Sequence, residues 1–349
     1  MLKNKLILTA TVLSSAFLTG CMSSNVKVAD TRPVSVPEAP LAPSASTLKA
    51  QMTGDGQKII ISPVEYHSKH ESSAASEAYD DLQQRLMKSG NIVVDRELAK
   101  KLQDELLAAE KSGKFRTSGP AIADVAIMPK IVGLTFGRSF TKAKYWTDKD
   151  GKSHRNDPYC SFSGNAKLHV RAYKVPSMEL INTYEYEGSV RNRTETSNSN
   201  CPISEGGILG LYSGAVADAV KSGSFQTIND LAPESYVIER RDDIEDPSQS
   251  LFRVTINKKH GAMEGATVKF FRKEERITPI TNEKRIENVY LGEGEVINAI
   301  DKSGSYVLVD DEQLITNLRI GDVAKLDHGK CDFDENEILG SCIKIPKIF

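Results

Sequence analysis

The five cysteines are the residues of this 349-residue sequence best placed to do chemistry. Cys21 closes the phrase Leu18-Thr19-Gly20-Cys21: an apolar residue, two small residues and a cysteine. Ahead of it lie an apolar run from Leu6 to Leu18 and a basic start at Lys3 and Lys5. A peptidase that cuts before a cysteine needs small residues ahead of it, and the freed Cys21 terminus then takes acyl chains. The run is too short to span a bilayer, so residues 1–20 read as a signal peptide. Several acyl chains at about 0.8 kcal/mol per buried CH2 anchor a protein stably. Met22 stands where an aspartate commonly holds a Gram-negative lipoprotein in the inner membrane. The expected location is therefore the periplasmic face of the outer membrane.

Lipidation of Cys21 leaves four cysteines in an oxidising compartment, where pairing is expected. Cys160–Cys201 and Cys331–Cys342 are the expected disulfides, because each pair falls within one predicted domain. No C-x-x-C occurs and no histidine stands at ligand spacing from a cysteine, so the pattern is not that of a zinc site.

Other reactive groups are sparse. His67, His70 and Glu71 give H-x-x-H-E, which is neither of the zincin orders and reads as a solvated strand-to-helix loop. His169 alternates with Leu168 and Val170 and is expected on an outer sheet face. Asp332, Asp334 and Asn336 make a fragment of a calcium loop, but Glu337 stands where such a loop needs glycine. Gly206 and Gly207 read as loop. No phosphate-binding or nucleophile-elbow motif is present. The expectation is a chain with no catalytic residue, no metal and no cofactor beyond the lipid on Cys21. Tyr145, Trp146 and Tyr159 form a candidate contact patch, since exposed aromatics are enriched where proteins bind one another.

These residues must be held by two domains. Loss of Lys3 and Lys5 with the signal peptide takes the formal net charge from −2 to −4, which points to no nucleic-acid partner. Residues 21–55, rich in Pro, Ser and Ala, read as a lipidated disordered tether. At full extension its roughly 34 residues reach at most about 110 Å. Residues 56–232 read as an α/β or α+β domain of order β-α-β-α-β-β-β-α. Its elements are the strand KIIISPVEY, a helix over 72–88, the strand IVVD, and a helix capped by Asp95 with Leu98, Leu102, Leu106 and Ala109 on one stripe. Strands at 123–134, 166–175 and 178–190 follow, then a helix from about Leu211 to Leu231. Two polar excursions, 136–165 and 191–210, read as loops that the Cys160–Cys201 bond would tie together on one sheet edge. Residues 233–250, charged and proline-bearing, read as a linker. Residues 251–349 carry five short strand signals (LFRVTIN, ATVKFFRK, VYLGEGEVI, SYVLVD, DVAKLD) and read as a small SH3-like β-barrel.

The lipobox, the Pro/Ser tether, and the phrases IVVDRELAKKLQDEL, ADVAIMPKIVGL and AKLHVRAYKVPSMELINTYEYEG together resemble the CsgG-like family of curli-assembly lipoproteins. The resemblance covers about half of the chain. The order of an α/β domain and a small barrel is similar to that of the flagellar ring protein FlgT. The resemblance implies a non-enzymatic subunit of an envelope assembly, bound to the membrane through its lipid, to envelope protein partners and to further copies of itself. Two alternatives remain: a regulator of a cell-wall synthase, as in a related activator lipoprotein, and a curli-type secretion pore. A pore built from the two excursions would need strands with an apolar face of about 9–11 residues each. TKAKYWTDKDGKSHRND and RNRTETSNSN carry no such face, which favours the soluble relatives.

Overall fold

The computed structural model describes residues 26–53, 57–68, 71–94, 123–175, 177–279 and 282–329, and the backbone of 335–338 and 341–344. It is a mixed α and β structure dominated by two sheets. The first is five-stranded, with β2 (Lys58–Ile61), β3 (Ile92–Val93), β4 (Val125–Thr141), β7 (Tyr159–Lys174) and β8 (Glu179–Glu195) in the order β3-β2-β4-β7-β8. β2 runs parallel to β3 and β4; β4, β7 and β8 are antiparallel neighbours. Two helices, α2 (Ser72–Lys88) and α3 (Glu205–Asp230), cover one face of this sheet and pack on each other.

The sequence dictates this layer directly. α2 buries Ala75, Ala78, Tyr79, Leu82 and Leu86, which recur at three- and four-residue spacing, so one stripe faces the sheet. β7 alternates: Ala166, Leu168, Val170 and Ala172 point into the core. α3 starts earlier than its hydrophobic pattern suggests. Ser204 caps it by accepting a hydrogen bond from the Gly207 amide at 3.1 Å. Gly206 and Gly207, expected in a loop, therefore lie in its first turn. Glycines set how close α3 approaches: a Cβ on Gly188 of β8 would sit 2.1 Å from the Ala219 nitrogen, and one on Gly223 would sit 2.3 Å from the Tyr186 ring. Tyr186 fills that space fully buried, with its hydroxyl 2.5 Å from Thr227 Oγ1.

The two excursions are not loops. Past a bulge at Val132, β4 and β7 continue their ladder from Gly133↔Lys167 to Thr141↔Tyr159, and β7 and β8 continue to Tyr159↔Glu195. The outer half of this three-stranded arm is polar on one face and apolar on the other, a period-2 pattern masked by its glycines, serines and arginines. Beyond its tip, β5 (Lys144–Thr147) and β6 (Ser153–Asn156) form a two-stranded ribbon.

The second sheet holds β1 (Thr31–Val34), β9 (Ser235–Asp243), β10 (Ser250–Val254), β11 (Thr267–Ile277), β12 (Lys284–Ile300), β13 (Ser305–Val309) and β14 (Val323–Leu326), ordered β1-β9-β10-β13-β12-β11-β14. β9 also pairs with β14 through Ser235 and Tyr236, which closes six strands into a barrel. Phe252, Phe270, Val268, Val296 and Val307 fill its interior. A short helix, α4 (Glu312–Asn317), capped by Asp311 with the Leu314 amide 2.9 Å from its carboxylate, brings Leu314 and Ile315 into that core. The backbone of a last hairpin, β15 (Glu335–Ile338) and β16 (Ser341–Lys344), follows.

Two boundaries read from the sequence are corrected. Residues 233–250 are not a linker, because 235–243 form β9, the strand that closes the barrel. Its charges suggested solvation, yet they pair along the strand at i, i+2: Arg240 with Asp242 at 2.7 Å on one face, Arg241 with Glu239 at 3.0 Å on the other. Residues 26–53 are not a free tether. β1 pairs with β9, where Pro33 is tolerated because β1 is an edge strand. Arg241 donates to the Thr31 carbonyl and hydroxyl, both at 2.8 Å. The Ala39 amide donates to the Ile320 carbonyl at 2.8 Å, and the Ile320 amide to Pro37 at 3.1 Å. A helix, α1 (Ala45–Thr53), follows. The expected helix from Asp95 lies outside the described residues.

The Gly188–Ala219 contact yields a test of the first layer. Gly188→Ala forces α3 off β8 and is expected to cost about 1–3 kcal/mol, read as a lowered urea midpoint. An unchanged midpoint would mean that helix and strand are not packed this closely.

Candidate functional site

Three places bring polar or aromatic groups together: the arm with its tip, the seam between the two sheets, and a groove beside that seam. The arm is pinned by a disulfide between Cys160 and Cys201. Cys160 lies in β7, an inner strand, and Cys201 in the segment that leads from β8 into α3. The bond therefore sits on the sheet face that α3 covers, not on an edge. It packs with Phe162 and Leu211, with Phe136, Phe140 and Ile203 around them. The opposite face of the arm carries Thr135, Ser139, Ser161, Ser163, Arg191 and Arg193 in register, so it has no apolar band.

The ribbon at the tip is built by its turn. Asp148 Oδ1 accepts the amides of Asp150 at 3.0 Å and Lys152 at 2.9 Å, and Gly151 takes the left-handed conformation the reversal needs (φ 79°). His154 Nε2 lies 2.6 Å from Asp148 Oδ2. That bond and the two amides hold the Asp148 carboxyl below the usual range. The His154 ring stacks on Trp146 at 5.3 Å, and the Arg155 guanidinium lies over Tyr145 at 5.5 Å. Tyr145 is 68% exposed and Trp146 40%. As strand neighbours they point to opposite faces of the ribbon. Tyr159 belongs to the arm itself, with the Arg193 guanidinium 3.4 Å above its ring. The three aromatics expected in one patch are thus two exposed residues on a ribbon and one covered residue on its stem.

At the seam, the end of α2 and the end of α3 meet the turn Lys258–Gly261 and the end of β14. The backbones interlock: a Cβ on Gly90 would lie 2.4 Å from the His260 Cα, and one on Gly261 3.0 Å from the Lys88 carbonyl oxygen. Both glycines have positive φ, 86° and 84°. The Asn229 side chain clasps the two bodies. Its amide nitrogen donates to Asp327 Oδ1 and to the His328 carbonyl, both at 3.0 Å, and its oxygen accepts the His328 amide at 2.7 Å. His260 and His328 each bury an Nε2 that has no hydrogen-bond partner. Burial pushes the His328 imidazole down to about 4, against the pull of the neighbouring Asp327 carboxylate. Burial and then Lys259 push His260 down as well. None of these seam residues stood out in the sequence, because a lone Asn or His carries no spacing signal.

The remaining candidates fall apart as a site. Glu71 accepts the amides of His67 at 2.7 Å and Ser68 at 3.3 Å, which makes it a turn-forming residue. His169 lies on the outer face, 3.3 Å from Glu185, beside Lys167, which bridges Glu185 and Glu187. His70, Cys21, Asp332, Asp334 and the Cys331 half of Cys331–Cys342 lie outside the described residues, as do the side chains of Asn336, Glu337 and Cys342. Among the described residues no group of three or more His, Cys, Asp or Glu side chains could hold a metal ion, and no helix is long and apolar enough to cross a membrane.

Two tests follow from this geometry. The depressed His328 imidazole binds its proton more readily unfolded, so it contributes stability that is complete above pH 6.5 and is lost as pH falls toward about 4. The contribution is of order 3 kcal/mol. Urea midpoints for the wild type should therefore fall between pH 7 and pH 4.5 more steeply than for His328→Phe; parallel curves would refute the assignment. Replacing both Cys160 and Cys201 by serine should cost about 2–4 kcal/mol and loosen the arm. The readout is faster proteolysis within 136–165 and 191–204, and unaltered cleavage would show that the bond does not hold the arm.

No family model matches this chain, and no curated protein matches it. Among solved structures it is similar to the lipoprotein GNA1162 from Neisseria meningitidis at 14% identity, covering 47% of this chain and 97% of that one, with a TM-score of 0.22. It is also similar to the hypothetical protein CT253 from Chlamydia trachomatis at 14% identity, over 38% and 71% of the two chains, with a TM-score of 0.24. A PelC dodecamer from Paraburkholderia phytofirmans is matched at 13% identity, over 54% and 97%, with a TM-score of 0.19. At these scores none of the likenesses decides fold or role, which rest on the residues themselves.

Proposed function

We propose that this chain is an envelope lipoprotein, acylated on Cys21 and held at the periplasmic face of the outer membrane, that serves an envelope assembly as a structural subunit through protein contacts. The observation that carries the reading is the arm. A three-stranded ladder, stapled by a disulfide, extends to a ribbon that exposes Tyr145 and Trp146. Rigid aromatic anchors lose little conformational freedom on binding, which suits them to recognition rather than to packing. The arm's polar outer face supports a contact in water over a pore wall. The role needs no catalysis; among the described candidates, Glu71 forms a turn and His169 lies on a solvated face.

Photo-crosslinking in whole cells tests the role. A benzophenone side chain at position 145 or 146 is expected to give one discrete protein adduct, and the same group at Met87, exposed on α2, is expected to give none. The mass of the adduct separates a second copy of this chain from another envelope protein. No adduct at either ribbon position would overturn the contact role. Metabolic labelling with a palmitate analogue, present in the wild type and absent in Cys21→Ser, tests the anchor independently.

A further inference from the structure

Beside the seam, where the start of β8 and the end of α3 face β11 and β14, there is an open groove of about 430 Å3. That is within the range of about 300–1,000 Å3 in which proteins hold small ligands, and junctions between domains are preferred places for such sites. One wall, from β8 and the end of α3, presents Asn182 and Asp230; the other, from the barrel, presents Lys269, Phe271, Lys325 and Asp327.

The charges in this groove are not matched among themselves. Lys269 is taken by Asp327 at 2.9 Å, and Asp327 is further fixed by Asn229. Among the described residues Asp230 has neutral partners: its Oδ2 accepts the Tyr184 hydroxyl at 2.9 Å and the Asn182 amide at 3.1 Å. Burial, then the Asp230 carboxylate, drives the Tyr184 phenol above its ordinary range, so it stays a donor. Lys325, half-buried, makes no ion pair among the described residues, and its charge is felt by Glu234, which is already paired with Lys273 at 2.6 Å. Among the described residues, then, a carboxylate and an ammonium that each lack a direct ion pair line the same groove, Asp230 from the first body and Lys325 from the barrel. They do not pair with each other, and Phe271 adds an apolar surface to the barrel wall.

We propose that this groove binds a small zwitterion of the amino-acid or dipeptide class, with its ammonium on Asp230 and its carboxylate on Lys325. Such a molecule completes both ion pairs at once, whereas a singly charged ligand completes one and leaves the other group without a partner. The two walls belong to different sheets, so an occupied groove also reinforces the Asn229 clasp. The inference stands apart from the role of the arm, and neither depends on the other.

Calorimetric titration of the full chain with L-alanyl-L-alanine is the test, with sodium acetate and methylammonium chloride as singly charged probes. Saturable millimolar or tighter binding of the dipeptide is expected, weakened by about tenfold or more in Asp230→Asn and in Lys325→Gln, with no saturable binding of either single-charge probe. Absence of heat from the dipeptide, equal binding by both variants and the wild type, or equal affinity for acetate would each overturn the proposal. Should Asp230→Asn lose its native near-ultraviolet spectrum, Lys325→Gln decides, because among the described residues the Lys325 side chain has no hydrogen-bond partner to lose.

Discussion

The close approach of α3 to β7 and β8 is the constraint on which the first body depends. Strand and helix backbones can come this near only where Cβ atoms are missing, and Gly164, Gly188 and Gly223 supply those gaps in line along the contact. With the helix seated, Tyr186 is sealed against Thr227 and the apolar side of the arm is covered as far as the disulfide. The far end of the helix then arrives at the seam with Asn229 and Asp230 at its last residues. Packing at the glycines thus sets both the stiffness of the arm at one end and the polar clasp at the other. A shift of the helix by one residue would misplace both.

The seam shows a different balance. Its fit is made by backbone against backbone at Gly90 and Gly261. Buried polar atoms cost free energy unless they find partners. Asn229 finds three, whereas the two imidazoles leave a nitrogen bare. A junction held by directional bonds and a steric key has a defined geometry and modest strength. That combination leaves room for a groove at its margin in which charges from both sides stay unpaired.

Much of the fold was legible in the sequence, and the failures have physical causes. α2 showed its stripe of Ala75, Ala78, Tyr79, Leu82 and Leu86, and the strand beginning at Val125 showed a β-rich apolar run. The five barrel strands from Leu251 onward showed alternation between glycine turns. β9 was hidden because Glu239, Arg240, Arg241 and Asp242 look like a solvated run until strand geometry places them in pairs. β1 was hidden because a Pro-bearing edge strand is defined by what it lies against, here Arg241, and not by its own pattern. The arm was hidden because one face is polar by design and the other is interrupted by Gly164, where a helix needs room. Of the sites, the cysteine pair within the arm could be read from domain arithmetic. The seam and groove could not, since Asn229, Asp230, Lys325 and His328 are brought together across about 100 residues by the fold alone.

The docking of residues 26–53 onto the barrel changes what an anchor at Cys21 would mean. A free segment of some 34 residues would let the body roam a large hemisphere. With Val26 already part of the folded strap, four residues separate it from Cys21. Their greatest reach is under about 20 Å. A body on so short a leash is confined almost to two dimensions. So anchored, it would meet membrane neighbours at an effective concentration far above its bulk value. Distance from the membrane would then be gained through the rigid arm, and the orientation of that arm becomes a property of the strap.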